Sequence, residues 1–144
     1  MFNAKLMFVP LLAQVLLTAL VWLWMYKTRI AEIQKNSISP QALENATEAA
    51  SLLKAVAAPS DNFSNQFEMP VLFYLLTVTA YVTQTADSML LGLAVLYVLL
   101  RYLHSLIHLF YNRVMWRFYA YVSSCIVLWI MWLVTAARIL RALS

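Results

Sequence analysis

Residues 61–76 read DNFSNQFEMPVLFYLL, a polar segment that runs directly into an apolar one. Asp61, Asn65 and Glu68 are spaced i, i+4 and i+7, so they share one face of any helix that includes them. Two starts of this helix are consistent with the sequence. In the first, Asn65 and Glu68 form a capping box, and Glu68 only closes the first turn. In the second, residues 59–61 begin the helix, and Asn65 and Glu68 then lie inside it with free side chains.

The composition excludes an ordinary soluble domain. Of the 144 residues, 64% are hydrophobic and 11% are charged, whereas soluble domains are about half apolar and about a quarter charged. A chain this short cannot bury that excess in its own core, which predicts a membrane protein. The single glycine argues against membrane strands joined by turns and favours helices. Cys125 has no partner for an intrachain disulfide, and we interpret it as a small buried hydrophobic residue.

Four apolar segments predict an all-α integral membrane protein, a four-transmembrane-helix bundle of up-down topology that forms a single domain over residues 1–144. The four spans are expected at about 5–27, 61–84, 88–111 and 114–139, each long enough for a hydrocarbon core of roughly 30 Å. The first span lacks the polar n-region and the cleavage site of a signal peptide, so we retain it as a membrane helix.

The loop at 28–60 is long and polar, whereas the other two connections are tight. Within it, Ser39 as N-cap, Pro40 at the first position and Pro59 as a stop signal predict a short surface helix.

Basic residues predict the orientation in the membrane. Six lie on the side of the long loop, namely Lys27, Arg29, Lys35, Lys54, Arg113 and Arg117, and three lie on the other side, namely Lys5, Arg138 and Arg141. The positive-inside bias therefore places the long loop in the cytoplasm and both termini outside it.

Polar residues converge at the cytoplasmic ends of the last three helices. The third helix carries a stripe of Tyr97, Arg101, His104, His108 and Tyr111, and the fourth carries Arg113, Arg117, Tyr121 and Ser124. Helical rise puts Glu68 about 21 Å and Arg101 about 20 Å from the far ends of their helices, so the two charges lie at similar depth. Because an isolated charge is costly at this depth, we predict that Glu68 pairs with Arg101.

Simpler interpretations of these residues stay open. Arg113 and Arg117, taken alone, are typical of interfacial residues that extend their charges to the headgroups. His104 and His108 have the i, i+4 spacing of metal ligands, but no third ligand is evident and Arg101 lies one turn away, so we predict no metal. Together the stripes predict a positively charged cavity that suits an anionic polar molecule meeting a lipophilic one. Arginine in such a cavity stabilises a developing anion such as a thiolate.

Three short motifs occur in order along the chain: Asn65-x-x-Glu68 followed by Pro70, Arg101-x-x-His104-x-x-x-His108, and Arg113-x-x-x-Arg117-x-x-x-Tyr121. With the four spans and the long first loop, they resemble the MAPEG superfamily, the membrane-associated proteins in eicosanoid and glutathione metabolism, in a bacterial-type form. The resemblance implies a homotrimer with sites between neighbouring subunits near the cytoplasmic face. It also implies a multi-pass protein of a bacterial inner membrane rather than of the endoplasmic reticulum.

Family members use glutathione to conjugate, reduce or isomerise lipophilic molecules, so the resemblance implies a glutathione transferase or peroxidase. The glutathione-binding residues that it implies are Asn65, Glu68, Arg101, His104, His108, Tyr121 and, at the end of the first helix, Lys27 or Arg29. Arg117 matches the arginine that stabilises the thiolate, and Arg113 competes for that role because the preceding turn varies in length.

Asp61 and Ser64 stand where glutathione-using members commonly have arginine. A carboxylate in place of a bidentate cation reverses the local charge and predicts weaker binding of an anionic tripeptide. The alternative hypothesis is therefore a non-enzymatic membrane protein of the same fold that binds lipid or an anion. A third hypothesis is a small transporter that uses Glu68 and the histidines as proton carriers. The expected partners are a second and third copy of the chain, membrane lipids and a lipophilic small molecule, and no nucleic acid.

Overall fold

The computed structural model describes residues 2–143, and its regular elements are helices. The α-helices of this range are α1 (Phe8–Lys35), α2 (Ala46–Leu52), α3 (Ala57–Ser64), α4 (Met69–Val82), α5 (Ser88–Leu106) and α6 (Val114–Leu143). Turns of 3-10 helix lie at Ala4–Met7, Pro40–Leu43, Lys54–Val56 and Asn65–Phe67, and a π-helical turn at Ile107–Tyr111 extends α5. No strand occurs between residues 2 and 143, so the all-α prediction is confirmed.

Three continuous helical segments are long and apolar enough to cross a membrane: Ala4–Lys35, Ser88–Tyr111 and Val114–Leu143. They coincide with the first, third and fourth predicted spans. The last two are joined by Asn112 and Arg113, and the left-handed backbone of Asn112 (φ 43°) ends the π-helical turn. These helices agree with an integral membrane protein.

The second predicted span differs from the expected continuous helix over 61–84. The chain is helical on both sides of Glu68, but Glu68 itself has φ −96° and ψ −107° and separates α4 from the preceding turns. Pro70 supplies the physical reason, because it has no N–H to bond to the carbonyl of Gln66 and so cannot continue a helix that began earlier. The 14 residues of α4 rise about 21 Å, less than a core of about 30 Å, so a crossing by 61–84 stays a prediction.

The long loop is also more divided than predicted. Ser39 and Pro40 begin a 3-10 turn as expected, but α2 has its own start at Asn45, whose side chain accepts a hydrogen bond from the Thr47 N–H. Pro59 does not stop a helix. It lies in the first turn of α3, where the missing N–H has no intrahelical partner to lose.

One buried apolar cluster joins the first helical turn to α4, α5 and α6. Its members are Met7, Phe73, Leu76, Ala80, Leu90, Ala94, Tyr97, Val98, Val127, Leu128 and Met131. The rings of Phe73 and Tyr97 stack at 4.5 Å between centroids, which fixes α4 against α5. The register of these two helices in turn sets which residues α5 presents beside the break at Glu68.

The connection between α4 and α5 is tied to α6 by one side chain. Arg138 donates to the Thr85 carbonyl and to Asp87 Oδ2, each at 2.7 Å. Asp87 also caps α5, since its Oδ1 accepts from the Leu90 N–H at 2.8 Å. This ion pair holds the end of the molecule opposite the long loop.

Candidate functional site

Arg101 is fully buried on α5 and does not pair with Glu68. Its Nη2 donates instead to the backbone carbonyl of Asn65 at 2.9 Å, while Glu68 is exposed and accepts a hydrogen bond from the Tyr121 hydroxyl at 3.3 Å. The predicted Glu68–Arg101 pair is therefore wrong. The break before α4 leaves carbonyl groups without intrahelical partners, and a cation is a favourable partner for such groups.

The Arg101 guanidinium has further capacity to bind. It lies 5.6 Å from the centroid of the Tyr121 ring, a distance typical of a cation–π contact. Its Nε and Nη1 atoms are buried and have no hydrogen-bond partner within residues 2–143. Buried donors of this kind are usually satisfied, so Arg101 has three unpartnered N–H groups, one on Nε and two on Nη1, which only an acceptor that entered the interior could reach.

A cavity of about 350 Å³ lies between α3, α5 and α6 next to Arg101. It is lined by Asp61, Asn65, His104, His108, Val114, Arg117, Phe118 and Tyr121. The structure therefore brings together five of the residues that the sequence predicts for the site, and it adds Asp61 to the same wall.

The two histidines form the α5 wall of this cavity. Nδ1 of His104 is 3.1 Å from the Arg117 carbonyl oxygen, and the His104 ring lies 5.7 Å from that of His108. Nε2 of His104 and both ring nitrogens of His108 are buried and lack partners in the described part of the chain. Within that part, no three His, Cys, Asp or Glu side chains are grouped as metal ligands would be. Both histidines therefore line the cavity and keep buried ring nitrogens without hydrogen-bond partners.

The two arginines that compete for the anion-stabilising role lie in different places. Arg117 is half-buried, lines the cavity and donates from Nη1 to Asn112 Oδ1 at 3.1 Å. Arg113 is exposed and lies outside the cavity wall. The geometry therefore favours Arg117 over Arg113 for the anion-stabilising role.

Arg29 lies in a second cavity of about 450 Å³ beside the long loop. Glu44, Ser60 and Asp61 line the same cavity. Asp61 therefore lines both cavities. It lies between Arg29 in the second cavity and His104 and Arg117 in the first.

A buried polar network next to the site was missed by the sequence analysis. Gln66 accepts from Gln14 Nε2 at 3.1 Å and donates to Asn62 Oδ1 at 3.2 Å and to Ser105 Oγ at 3.3 Å. Ser105 in turn donates to Asn62 Oδ1 at 3.1 Å. Asn62 and Gln66 have the same i, i+4 spacing as Asp61 and Asn65. This spacing was the sequence signal for a second polar face on the same segment. The network joins α1, α3 and α5 and orients the segment that carries Asp61 and Asn65.

The family model of the MAPEG family matches residues 7–137, which include every helix that lines the site. No curated protein and no solved structure matches the chain significantly. The match spans most of the sequence and agrees with the membrane helices and with the three motifs on α3 to α6. The chain therefore belongs to the MAPEG family, whose members are membrane proteins of eicosanoid and glutathione metabolism.

Proposed function

We propose that the protein is a membrane-bound glutathione-dependent transferase or peroxidase that acts on lipophilic substrates. In this proposal its sites lie near the cytoplasmic face, between the subunits of a homotrimer. The observation that supports it is the cavity in which Arg117, Asn65, Tyr121 and two histidines meet beside Arg101. Its volume of about 350 Å³ lies in the range of small-molecule sites.

In the proposed reaction, the thiol proton of glutathione passes to water, and the thiolate sulfur bonds to an electrophilic carbon. As this bond forms, the bond from that carbon to its leaving group, such as chloride, breaks and the leaving group departs as an anion. Arg117 would stabilise the sulfur as negative charge develops on it, because Arg117 lines the cavity. Arg101 would attract a carboxylate from behind the cavity wall, because it contacts the ring of Tyr121, which lines the cavity. Asn65 and the two histidines line the cavity and would contact the peptide groups.

The central test is conjugation of a lipophilic chlorodinitrobenzene to glutathione by the purified protein. We expect Arg117→Ala to lower kcat/KM by about 100-fold, the usual loss when one group that stabilises a developing anion is removed. Lys54→Ala removes an exposed cation from the same side of the protein and serves as the control. Equal activity in the wild type and Arg117→Ala would exclude Arg117 from the mechanism.

Arg113→Ala separates the two arginine candidates. Because Arg113 is exposed and lies outside the cavity wall, we expect this variant to keep most of the activity that Arg117→Ala loses. The reverse pattern would transfer the role to Arg113.

One observation favours a second function, a non-enzymatic protein that binds lipid or an anion. Asp61 lies in the same cavity wall as Arg117, and a carboxylate there repels the carboxylates of glutathione. Native mass spectrometry of the protein with added glutathione distinguishes the two functions. Retention of glutathione that increases in Asp61→Asn supports the first, and retention of phospholipid without glutathione in both proteins supports the second.

A further inference from the structure

An apolar groove runs along the outside of the molecule between α1 and α5, away from the candidate site. It consists of two cavities in line. One of about 300 Å³ is lined by Val9, Pro10, Ala13, Val95, Leu99 and Tyr102. The other, of about 250 Å³, is lined by Leu17, Leu20, Trp24, Tyr102, Leu106 and Phe110. Tyr102 borders both, and the distance along α1 from Val9 to Trp24 is about 22 Å.

The polar atoms at the groove wall are already bonded within the protein. The Tyr102 hydroxyl donates to the Ala13 carbonyl at 2.9 Å, and the Ser105 hydroxyl donates to Asn62 at 3.1 Å. Apart from the indole N–H of Trp24 at one end, the groove therefore offers apolar surface and no unbonded side-chain donor. Its occupant contributes hydrocarbon there and has no polar group at that depth.

One end of the groove carries a cation. Trp24, which lines the groove, packs on Phe110 with 5.6 Å between ring centroids, and the Lys27 Nζ lies 5.5 Å from the centroid of its ring. Within residues 26–35 three basic residues oppose one carboxylate, Glu32. Aromatic and basic side chains in this order along a membrane helix are typical of the headgroup level.

We propose that this groove binds one acyl chain of an anionic phospholipid, whose headgroup lies against Lys27. The apolar lining of the groove suits the acyl chain, and Lys27 at the Trp24 end attracts the anionic headgroup. The groove shares no lining residue with the cavity of Arg117. The lipid site is therefore independent of the proposed glutathione chemistry, and either can fail without the other.

The experiment measures quenching of Trp24 by phospholipids with brominated acyl chains, with the full-length protein in vesicles. The Trp24 signal is the wild-type tryptophan fluorescence minus that of Trp24→Phe. Brominated phosphatidylglycerol is compared with brominated phosphatidylcholine over a range of mole fractions. We expect saturable quenching whose midpoint lies at an about five-fold lower mole fraction for phosphatidylglycerol, as one lysine near an anionic headgroup provides.

Two pairs of variants assign the effect to the groove. Lys27→Gln should make the two lipids equal, whereas Lys35→Gln, at the end of α1, should preserve the preference. Leu20→Tyr should fill the groove and abolish saturable quenching, whereas Leu16→Tyr, about one turn away and outside the lining, should not. Leu20 and Leu16 are 50% and 55% exposed, so neither change disturbs the core.

Three results would overturn the proposal. Equal midpoints for the two lipids in the wild type would remove the headgroup contact. Saturable quenching that survives in Leu20→Tyr would place the lipid elsewhere. Absence of quenching by either lipid would mean that a second copy of the chain covers the groove.

Discussion

Arg101 is held in the interior of the bundle by one hydrogen bond to the backbone of Asn65. A buried cation that depended on Glu68 would leave an uncompensated charge when that partner was neutralised, at a cost of about 3–5 kcal/mol. Glu68 is exposed and contacts Tyr121 instead. The two side chains form no ion pair and share only Tyr121 as a partner, so we expect them to contribute to stability almost independently of each other.

A double-mutant cycle tests this independence. We expect Glu68→Gln to change the free energy of unfolding by less than about 0.5 kcal/mol, as for other surface changes. Arg101→Met should cost about 1.5–3 kcal/mol, because it removes a hydrogen bond from a charged donor. Denaturant unfolding in detergent should give a coupling energy near zero. A coupling of several kcal/mol would show that the two charges interact after all.

At the scale of elements, the break at Glu68 leaves α3 and its following turn to be held by side chains. Gln66 provides three of those contacts, to Gln14, Asn62 and Ser105, and all four residues are almost completely buried. Because the helix is broken at Glu68, α4 does not fix the orientation of α3 and the turn that follows it. The position of Asp61 and Asn65 in the cavity wall therefore depends on the network.

Gln66→Ala should destabilise the protein more than an equivalent surface change. It leaves the buried Nε2 of Gln14 without a partner, at a cost of about 1–3 kcal/mol, and it removes the hydrogen bonds from Gln66 Nε2 to Asn62 and Ser105. Gln41→Ala is the control, since Gln41 is exposed and bonds only to Glu44 on the surface. Thermal unfolding in detergent measures both. Equal melting temperatures for the two variants would exclude a structural role for the network.

The turn between α4 and α5 predicts a response to acid. The hydrogen bond from Arg138 lowers the pKa of Asp87 below its usual value of 3.8. Because the folded pKa is the lower one, the carboxylate stabilises the fold above the unfolded pKa, and this contribution is lost as the pH falls through the folded value. The side chains of Arg138 and Asp87 are 29% and 41% exposed, so screening by solvent limits the contribution of this ion pair to the free energy of unfolding to about 0.2–1 kcal/mol.

Asp87→Asn isolates the ion pair from the cap, because asparagine also accepts the N–H bond at a helix start. We expect this variant to be less stable than the wild type by about 0.2–1 kcal/mol at pH 7 and equally stable once the pH is well below the lowered pKa of Asp87. Asp87→Ala loses the cap as well and should cost about 1 kcal/mol more. Unfolding measured across pH checks both, and a difference between wild type and Asp87→Asn that persists in strong acid would contradict the ion-pair account.

For the molecule as a whole, periodicity and composition were sufficient for the helices of spans one, three and four. They also placed Asn65, His104, Arg117 and Tyr121 correctly on converging helix ends. They failed at 57–68, where Pro70 breaks the helix and a 3-10 turn rotates Glu68 to the surface. Such a break depends on tertiary contacts, since Gln66 and Arg101 stabilise a segment whose local pattern is also compatible with a continuous helix.

The structure leaves two topologies to distinguish, one with three membrane crossings and one in which residues 61–84 make a fourth. Three crossings would put the two ends of the chain on opposite sides, and four would put them on the same side. We expect four, because α4 is joined to α5 by a tight turn and packs on it through Phe73 and Tyr97. Local thinning of the bilayer, or the polar segment before Glu68, then accommodates the short helix.

Cysteine accessibility tests this topology in sealed, oriented vesicles with a membrane-impermeant maleimide. In a Cys125→Ser background, single replacements Asn3→Cys, Gln84→Cys and Leu143→Cys should be labelled from the same side. Gln41→Cys, in the long loop, should be labelled from the other side, which the basic residues predict to be cytoplasmic. Opposite labelling at Asn3 and Leu143 would show that 61–84 does not cross the membrane.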